Sequence, residues 1–394
     1  MIKVLRIINR FNLGGPTHNA AYLTKYLPDE YETLLIGGVP EHHEADSLHI
    51  VKNMGIEPLI IPEMSRSVNI FKDIKTYFKI RRIIKNYRPQ IIHTHASKAG
   101  LLGRLAAIHE NVPVIVHTFH GHVFHSYFHP FITQFIIQVE RYLAKKSSNI
   151  IAISQKQKDE LCNEFQIAPP DKVEVIPLGL DLKKFAENKS EKRKLFRTKY
   201  NISENTIAIG IVGRLVPIKN HRFLIDAVKH LKTLTQQKFE VIIIGDGELK
   251  NELKNYIKEQ GMNYREHPEE QPANFYFTSW IKEMDIAYAG MDIVTFCSKN
   301  EGTPVSLLEA QAAGKMIVST NVGGVKDIVL DGAGIILNDF NPLNYATALL
   351  HCIQNYTSAN QFISDNISPK IIQQYSYETL VANMDRLYKR LLGK

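Results

Sequence analysis

The sequence predicts an α/β protein built from two Rossmann-like domains, each a doubly wound parallel sheet, that face each other across a cleft. Three observations support this fold class. Short apolar runs rich in β-branched residues alternate with amphipathic helical stretches, which is typical of parallel sheets covered by helices. The series of strands runs through the first half of the chain and then starts again. Finally, 394 residues suit two domains of about 150–200 residues each.

The predicted elements fall into two series. The first series of strands comprises 3–9, 32–38, 90–95, 112–118, 150–154 and 173–179. The second series comprises 207–213, 238–245, 274–280, 292–297, 315–320 and 333–338. Helical stretches lie between the strands, among them 17–27 and 71–87, and a charged, helix-prone passage over 181–200 separates the two series. We therefore predict an N-terminal domain over 1–179, a C-terminal domain over 180–374, and a final helix in 375–394 that packs across the domain junction.

The composition is that of a globular protein, with 44% apolar and 22% charged residues. The three cysteines, Cys162, Cys297 and Cys352, are far apart and form no CxxC pair, which argues against a disulfide framework and a thiolate zinc site. The apolar start, MIKVLRII, is too short for a signal peptide. No apolar run reaches the roughly 20 residues that a membrane-spanning helix needs. We therefore expect a cytoplasmic protein.

The net charge of +8 favours an anionic partner: a nucleotide, a lipid phosphate or an anionic membrane surface. Nucleic acid would satisfy the charge equally well. However, the sequence contains no nucleic-acid-binding motif, so nucleic acid is not an expected partner.

The loop KNEGTPVSLLEAQAAG, over 299–314, carries the strongest chemical signal. It follows a predicted strand and opens a helix, with Pro304 at the first helical position and Thr303 as its cap. The free amides of that first turn and the helix dipole favour a diphosphate. Glu301 precedes the helix and Glu309 lies inside it, so that one carboxylate can reach a sugar and the other a ribose. For either glutamate alone, a solvated surface position is the simpler interpretation.

Two further loops follow predicted strands. In RLVPIKN, Arg214 and Lys219 can converge on one phosphate group, Arg as a planar fork and Lys as a mobile charge. Two ordinary surface cations in a turn are the alternative. In NLGGPTHN, Gly14 and Gly15 permit close backbone approach to a ligand, although a simple tight turn explains the pair about as well.

A histidine-rich loop, HTFHGHVFHSYFHP, follows another predicted strand. His120 lies just past that strand and before a glycine, where it can point into the cleft. A metal cluster is conceivable from composition, but no HExxH spacing or carboxylate partner accompanies the histidines, so no metal site is predicted. The histidines of this loop are His117, His120, His122, His125 and His129.

Other enzyme signatures are missing from the sequence. There is no GxGxxG dinucleotide fingerprint and no GxxxxGK[ST] phosphate loop. There is also no GxSxG nucleophile elbow. No Asp-x-Asp stands at the end of a strand, which removes the usual metal clamp of single-domain sugar transferases.

Together these loops resemble the family 4 retaining glycosyltransferases of GT-B fold, over essentially the whole chain, and in particular bacterial enzymes that build surface polysaccharides. The last motif below contains Glu301 and Glu309 in Glu-x7-Glu spacing. Each motif is weak alone, but their order and spacing make the resemblance specific. In chain order the motifs are NLGGPTHN, HTFHGH, PLGLDLKKF, GRLVPIKN, IIIGDGEL and EGTPVSLLEAQAAGKMIVSTNVGG.

The resemblance implies roles for individual positions. Glu301 would contact hydroxyls of the donor sugar, and Glu309 would bind the ribose. Arg214 and Lys219 would neutralise the leaving diphosphate, and His120 would hold the donor sugar at the reaction face. Backbone amides would complete the phosphate cradle at Gly14, Gly15, Gly302, Thr303, Pro304, Val305 and Ser306.

The resemblance also implies a reaction. Sugar would pass from a nucleotide sugar, by the wording of the motifs a UDP-sugar, to a saccharide or lipid-linked acceptor, with retention of anomeric configuration. The N-terminal domain would form the acceptor side and the C-terminal domain the nucleotide-sugar side. Neither a cofactor nor a metal would be needed, since cations and a helix dipole stabilise the leaving group.

Residues 71–88 carry seven basic residues and one acidic residue, with apolar positions near helical spacing. One interpretation is a face that contacts anionic lipid while the acceptor is lipid-linked. The alternative is an amphipathic helix packed on the N-terminal sheet with a solvated basic face.

Two other functions fit the same pattern. A UDP-sugar epimerase of similar architecture would need additional acid–base residues, and the pair Glu301 and Glu309 favours transfer instead. A non-catalytic partner subunit would keep the fold without turnover, but every expected position is filled.

Overall fold

The computed structural model of the chain describes residues 1–11, 15–39, 48–65, 67, 69–121 and 129–394. Its contacts divide the chain into two compact units. The first unit combines Met1–Leu180 with Tyr375–Lys394, and the second is Asp181–Gln374.

The first unit contains a parallel sheet of seven strands in the order β3-β2-β1-β4-β5-β6-β7. The strands are β1 Ile2–Arg10, β2 Tyr31–Gly38, β3 Leu59–Ile60, β4 Ile91–His95, β5 Val114–Phe119, β6 Asn149–Ala152 and β7 Val173–Val175. Its helices are α1 Gly15–Lys25, α2 Leu48–Asn53, α3 Ile70–Tyr87, α4 Ser97–His109, α5 Pro130–Lys146 and α6 Gln155–Asp159, with short π and 3-10 turns at Glu160–Glu164 and Pro170–Lys172.

Helices cover both faces of this sheet. Successive residues of a strand point to opposite sides, so neighbouring residues pack into different clusters. Val4 packs in one cluster with Leu23 of α1, whereas its neighbour Leu5 packs on the other side with Ile80 of α3 and Ala106 of α4. Strands covered on both faces are continuously apolar, which is why they can be recognised in the sequence.

The second unit repeats the architecture, with a parallel sheet in the order β10-β11-β9-β8-β12-β13-β14. The strands are β8 Ile207–Val212, β9 Phe239–Ile244, β10 Tyr264–Arg265, β11 Phe275–Ser279, β12 Ile293–Phe296, β13 Met316–Thr320 and β14 Gly334–Leu337. The helices are α7 Lys183–Ala186, α8 Lys189–Lys199, α9 His221–Leu234, α10 Lys250–Glu259, α11 Met284–Gly290, α12 Val305–Ala312, α13 Val325–Ile328, α14 Pro342–Asn366 and α15 Ser368–Tyr375, with a 3-10 turn at Pro217–Lys219.

After α15 the chain returns to the first unit as α16, Tyr377–Leu391. The Leu180 amide donates to the Tyr375 carbonyl at 2.8 Å, and the Ser376 side chain caps the helix by accepting from the Thr379 amide. α16 packs beside α1, where Tyr377 stacks on Tyr22 with ring centroids 5.0 Å apart. The final helix is therefore part of the packing of the first sheet.

The predicted fold class is confirmed, and every predicted strand overlaps an observed one. The predictions missed β3 and β10, each of only two residues at a sheet edge. The strand predicted over 173–179 was too long, because β7 ends at Val175. The helix-prone passage 181–200 forms α7 and α8.

In both sheets the strand order reverses at one point. In the first sheet this point lies between β1 and β4, and in the second between β8 and β12. Ligands of open α/β sheets bind outside the carboxyl ends of the strands at such a point. The loops after these four strands are therefore where a site is expected.

Candidate active site

In the second unit, the loops after β8 and β12 bring two predicted site residues into contact. Lys219 Nζ lies 2.5 Å from Glu301 Oε1, and both side chains keep about a fifth of their surface exposed. Ser298 Oγ donates to the same carboxylate oxygen at 3.0 Å. An ammonium and a carboxylate held together at the strand-order reversal form a polar centre that solvent and a ligand can reach.

The backbone around this pair is fixed by several short contacts. The Lys219 side chain packs over Gly213, where a Cβ would lie 3.3 Å from Lys219 Cε. The Cys297 thiol donates to the carbonyl of Lys219, and the Lys299 amide donates to Ile218 at 2.8 Å. The two loops are thus joined independently of the ion pair.

A pair of glycines after β13 supports the Glu301 loop from behind. The Gly324 amide donates to the Gly302 carbonyl at 2.9 Å. A Cβ on Gly323, whose φ is +54°, would overlap the carbonyl oxygen of Glu301. Only glycine at 323 allows the loop to lie this close.

Helix α12 starts one residue later than predicted. Its N-cap is Pro304, so the first helical residue is Val305, and no side chain caps the helix. The expected Thr303 cap is wrong: Thr303 Oγ1 is buried and makes no hydrogen bond with any residue the structure describes. Because a helix leaves its first amides without internal partners, those of Val305 and Ser306 can take an anion.

Glu309 lies one turn further along α12 and is half-buried. Burial raises the pKa of its carboxyl to about 7, against opposing effects of Tyr288 and Lys184. The Tyr288 hydroxyl donates to the Ser306 carbonyl at 2.9 Å. Near pH 7 this carboxyl is therefore poised between its neutral and ionised forms.

Arg214 does not join the Lys219 pair. It is exposed and forms no ion pair with a residue in the described ranges. The predicted convergence of Arg214 and Lys219 on one phosphate is thus not visible in the resting arrangement, in which Lys219 is paired with Glu301 instead.

In the first unit, His120 follows β5 and contacts a second histidine, His95, at the end of β4. His120 Nε2 and His95 Nδ1 are 2.9 Å apart, and the rings stack. Burial lowers the pKa of His120 to about 4, and that of His95 falls well below its usual range for the same reason. Both rings are therefore neutral at pH 7, and in the hydrogen bond between them one ring donates its N–H and the other accepts it.

The histidine contacts continue into the core. The His95 ring lies 4.2 Å from that of His93, and His93 Nδ1 is 2.7 Å from the Tyr388 hydroxyl of α16. Tyr388 in turn accepts from Arg6 at 3.1 Å. This chain fixes the orientation of His95, and His95 fixes that of His120.

The backbone directly after His95 is strained. Ala96 has φ +66° and ψ +161°, a conformation that is otherwise almost restricted to glycine. Such strain costs about 1–3 kcal/mol and persists where the surroundings enforce it, often at functional sites. Its position beside His95 supports a role for this loop in binding.

The remaining predicted positions are less informative. Gly15 opens α1, and a Cβ there would meet nothing within 4 Å. Gly14, His122 and His125 lie outside the described residues. His117 is buried and bonds Thr94, and His129 is the N-cap of α5. Within the described ranges no three His, Cys, Asp or Glu side chains are grouped as a metal site.

Sequence reasoning missed His95, Ser298 and the supporting glycines Gly323 and Gly324. The signals were present: His95 ends a predicted strand in the same way as His120, and the glycine pair follows another. What the sequence lacks is the strand order, which places β4 beside β5 and β12 beside β13.

No helix among the described residues is long and apolar enough to span a bilayer.

Two family models match the chain. The one described as "Glycosyltransferase Family 4" matches residues 13–184, and the one described as "Glycosyl transferases group 1" matches residues 192–368. The division between them, between residues 184 and 192, lies a few residues past the boundary of the two structural units at Leu180 and Asp181.

Curated relatives match most of the chain. It is 30% identical over 342 residues, 84% of each chain, to a UDP-Gal:alpha-D-GlcNAc-diphosphoundecaprenol alpha-1,3-galactosyltransferase of Escherichia coli. It is 23% identical over 339 residues, 84% of this chain and 85% of the relative, to the capsular polysaccharide biosynthesis glycosyltransferase CapM of Staphylococcus aureus.

A solved structure shares the fold over the full length. Anabaena Alr3699/HepE in complex with UDP superimposes with a TM-score of 0.80 at 20% identity, covering 99% of this chain and 100% of the other. At this identity the likeness establishes the fold alone.

Proposed function

The chain belongs to the group 1 and family 4 glycosyltransferases of GT-B fold, and from that premise we propose that it transfers a hexose or N-acetylhexosamine from a UDP-sugar to a lipid-linked or glycan acceptor in surface polysaccharide synthesis. The observation that carries this proposal is the Lys219–Glu301 pair at the strand-order reversal of the second sheet. The relatives' names support the substrate classes, since one acts on a diphosphoundecaprenol-linked sugar and another in capsule synthesis.

In this scheme the second unit holds the nucleotide end of the donor. The diphosphate binds the amides of Val305 and Ser306 at the start of α12, together with Lys219 and Arg214. The helix dipole and two cations are suited to the negative charge that develops on the leaving diphosphate. Glu309 accepts hydrogen bonds from the ribose.

Lys219 and Glu301 satisfy each other before the donor binds. As the diphosphate arrives, Lys219 can shift its ammonium towards phosphate, and the Glu301 carboxylate is then free to accept hydrogen bonds from donor-sugar hydroxyls. An ion pair of this kind keeps both groups charged and oriented in the empty site, so little reorganisation is needed on binding.

His120 contributes from the first unit. Its Nε2 is engaged by His95, so Nδ1 is the atom left to contact the donor sugar. We further propose retention of configuration without a metal: the acceptor attacks from the side on which the diphosphate leaves, and the departing phosphate oxygen takes the acceptor's proton. No carboxylate nucleophile is required.

We also propose work at the inner face of the cell membrane, with residues 71–88 in contact with anionic lipid. Ion pairs to Glu63 and Glu110 occupy part of the basic charge of this segment. Lys72 and Arg82 are exposed and form no ion pair with any described residue, so they remain available to lipid phosphates.

The test is sugar transfer by purified protein, treated with a chelator, using UDP-, GDP- and ADP-sugars and a lipid-linked acceptor. We expect transfer from a UDP-sugar, with an α-linked product from an α-linked donor. Lys219→Ala and Glu301→Ala should each lower kcat by about 100-fold or more, as for other groups that stabilise developing charge. The double variant should lose little beyond either single variant, because the two residues act as a pair.

Lys238→Ala is the matched control, since Lys238 is an exposed lysine at the opposite, amino end of the same sheet. It should leave kcat unchanged. Strict dependence on added manganese, or an inverted product, would refute the metal-free retaining scheme. Donor epimerisation without transfer would refute the transferase assignment at this site.

A further inference from the structure

Helix α3 is apolar on two opposite sides. Its inner side, with Ile80 and Ile84, is buried against the first sheet. On the outer side Phe71 is 87% exposed, Phe78 57% and Ile74 51%. The apolar residues of the inner side hold the helix on the sheet. Those of the outer side, which we call the outer stripe, are not part of the described core.

Helix α5 has the same arrangement. Ile137, Leu143 and Ala144 face the core, while Phe131 is 84% exposed and Phe135 68%. Large apolar side chains gathered on outward helix faces are uncommon on a protein that binds nothing there, and they mark interaction surfaces.

The two outer stripes lie on one face of the first unit. α4 packs against both α3 and α5, so the three helices form one layer on the same side of the sheet. In a parallel sheet a helix begins at the carboxyl edge and returns to the amino edge. The exposed phenylalanines sit in the amino-terminal halves of α3 and α5, and therefore near the carboxyl edge at which His120 follows β5.

The charge of this face is complementary to an anionic surface. Lys72 and Arg82 are exposed on α3, and Lys145 and Lys146 are exposed near the end of α5. The acidic residues of both helices are engaged: Asp73 pairs with Lys98, and Glu140 pairs with Arg104 inside the protein.

We propose that α3 and α5 together form one lipid-binding face, in which Phe71, Phe78, Phe131 and Phe135 enter an anionic bilayer surface and the basic residues contact its phosphates. An amphipathic helix binds a membrane by this combination of apolar burial and electrostatic attraction. The inference deepens and rests on the proposed function, because it places the His120 edge of the first unit where a lipid-linked acceptor presents its sugar.

The experiment is flotation of the full chain with vesicles of phosphatidylcholine alone or with about 30% phosphatidylglycerol, at low and high salt. We expect binding to the anionic vesicles, weakened but retained at high salt. The double variant Phe131→Ser/Phe135→Ser should lower the partition coefficient at least tenfold at both salt concentrations. Lys72→Gln/Arg82→Gln should lower it at low salt only, because salt already screens that contribution.

Phe362→Ser is the matched control: Phe362 is 49% exposed on α14 of the second unit, and its replacement should leave vesicle binding unchanged. Thermal melts and UDP-induced stabilisation should be the same for all variants, which separates loss of lipid binding from loss of the fold or of the donor site.

The failures of the two proposals are distinguishable. Vesicle binding that depends on Phe131 and Phe135, without any sugar transfer, would refute the proposed function and leave the lipid-binding face standing. Absence of binding to anionic vesicles, or equal binding by the Phe131→Ser/Phe135→Ser variant, would overturn the lipid-binding face. Dimers that dissociate in that variant, without vesicle binding, would assign the face to a second copy of the chain instead.

Discussion

At the scale of single residues, the role proposed for Glu309 would make nucleotide binding depend on pH. Burial raises the pKa of its carboxyl from the ordinary value of 4.5 to about 7. The folded protein therefore keeps this proton up to pH values at which the unfolded chain has lost it, so the contribution of Glu309 to stability is complete below pH 4.5 and is lost as the pH rises to about 7. A ligand that needs the ionised carboxylate should instead bind more tightly as the pH rises.

If ribose hydroxyls donate to Glu309, UDP should bind more tightly at pH 8 than at pH 6. At pH 6 only about a tenth of the carboxyl is ionised, so we expect a change in Kd of up to about tenfold. Calorimetric titration across this range measures it. The diphosphate titrates in the same pH range and also changes Kd. Glu309→Gln is the control, because this variant keeps the effect of the diphosphate but lacks the carboxyl. Identical pH profiles for the two proteins would exclude Glu309 from ribose binding.

The residue scale is also where sequence reasoning was strongest. Glu301 and Lys219 could be selected because each follows a predicted strand, and the structure brings them to 2.5 Å. His95 was missed although it also ends a predicted strand, because its contact with His120 depends on β4 and β5 being neighbours. The Thr303 cap failed for a local reason: the helix begins one residue beyond the position that the proline suggested.

At the scale of elements, the turn between β13 and α13 determines where the Glu301 loop lies. Gly323→Ala would add a Cβ that overlaps the Glu301 carbonyl and would also strain a residue at φ +54°. We expect kcat to fall at least tenfold and the melting temperature to drop, because the loop must move away. Steady-state kinetics and thermal denaturation measure the two effects.

Gly261→Ala is the control for this substitution. Its φ is +70°, but a Cβ there would meet nothing within 4 Å. It should lower the free energy of unfolding by about 1 kcal/mol, because a non-glycine residue is strained at positive φ, and it should leave kcat unchanged. Equal effects of the two substitutions on kcat would mean that the contact with Glu301 is unimportant.

Elements could be predicted where burial leaves a strong pattern. β9 is apolar almost throughout because helices cover both of its faces, and its predicted and observed ranges nearly coincide. β3 and β10 left no such pattern, since a two-residue edge strand buries too little to require one. Which strands pair is set by packing over long sequence separations, and that information is spread over the whole chain.

At the scale of the molecule, the first unit depends on a segment distant in sequence. α16 buries Leu380, Met384, Leu387 and Tyr388 in the core of that unit. At about 1.5–3 kcal/mol for each large apolar side chain, their loss approaches the whole stability of a typical domain. Residues 1–180 alone should therefore fail to fold.

Residues 181–374 alone should fold, since they form a compact unit from one continuous stretch of chain. A fusion of 1–180 directly to 375–394 should regain a cooperative melt, because Leu180 and Tyr375 are already joined by a 2.8 Å hydrogen bond. Circular dichroism and urea denaturation of the three fragments check these expectations. A cooperative, native-like transition for 1–180 would show that α16 is dispensable.

The return of the chain to its first unit also has a consequence for biosynthesis. Domains usually fold as they leave the ribosome, amino-terminal first. Here the face of β1–β7 on which α16 packs stays uncovered until residues 375–394 have been translated. The later unit, 181–374, can mature before the earlier one, and during that interval the nascent chain presents a surface that chaperones recognise.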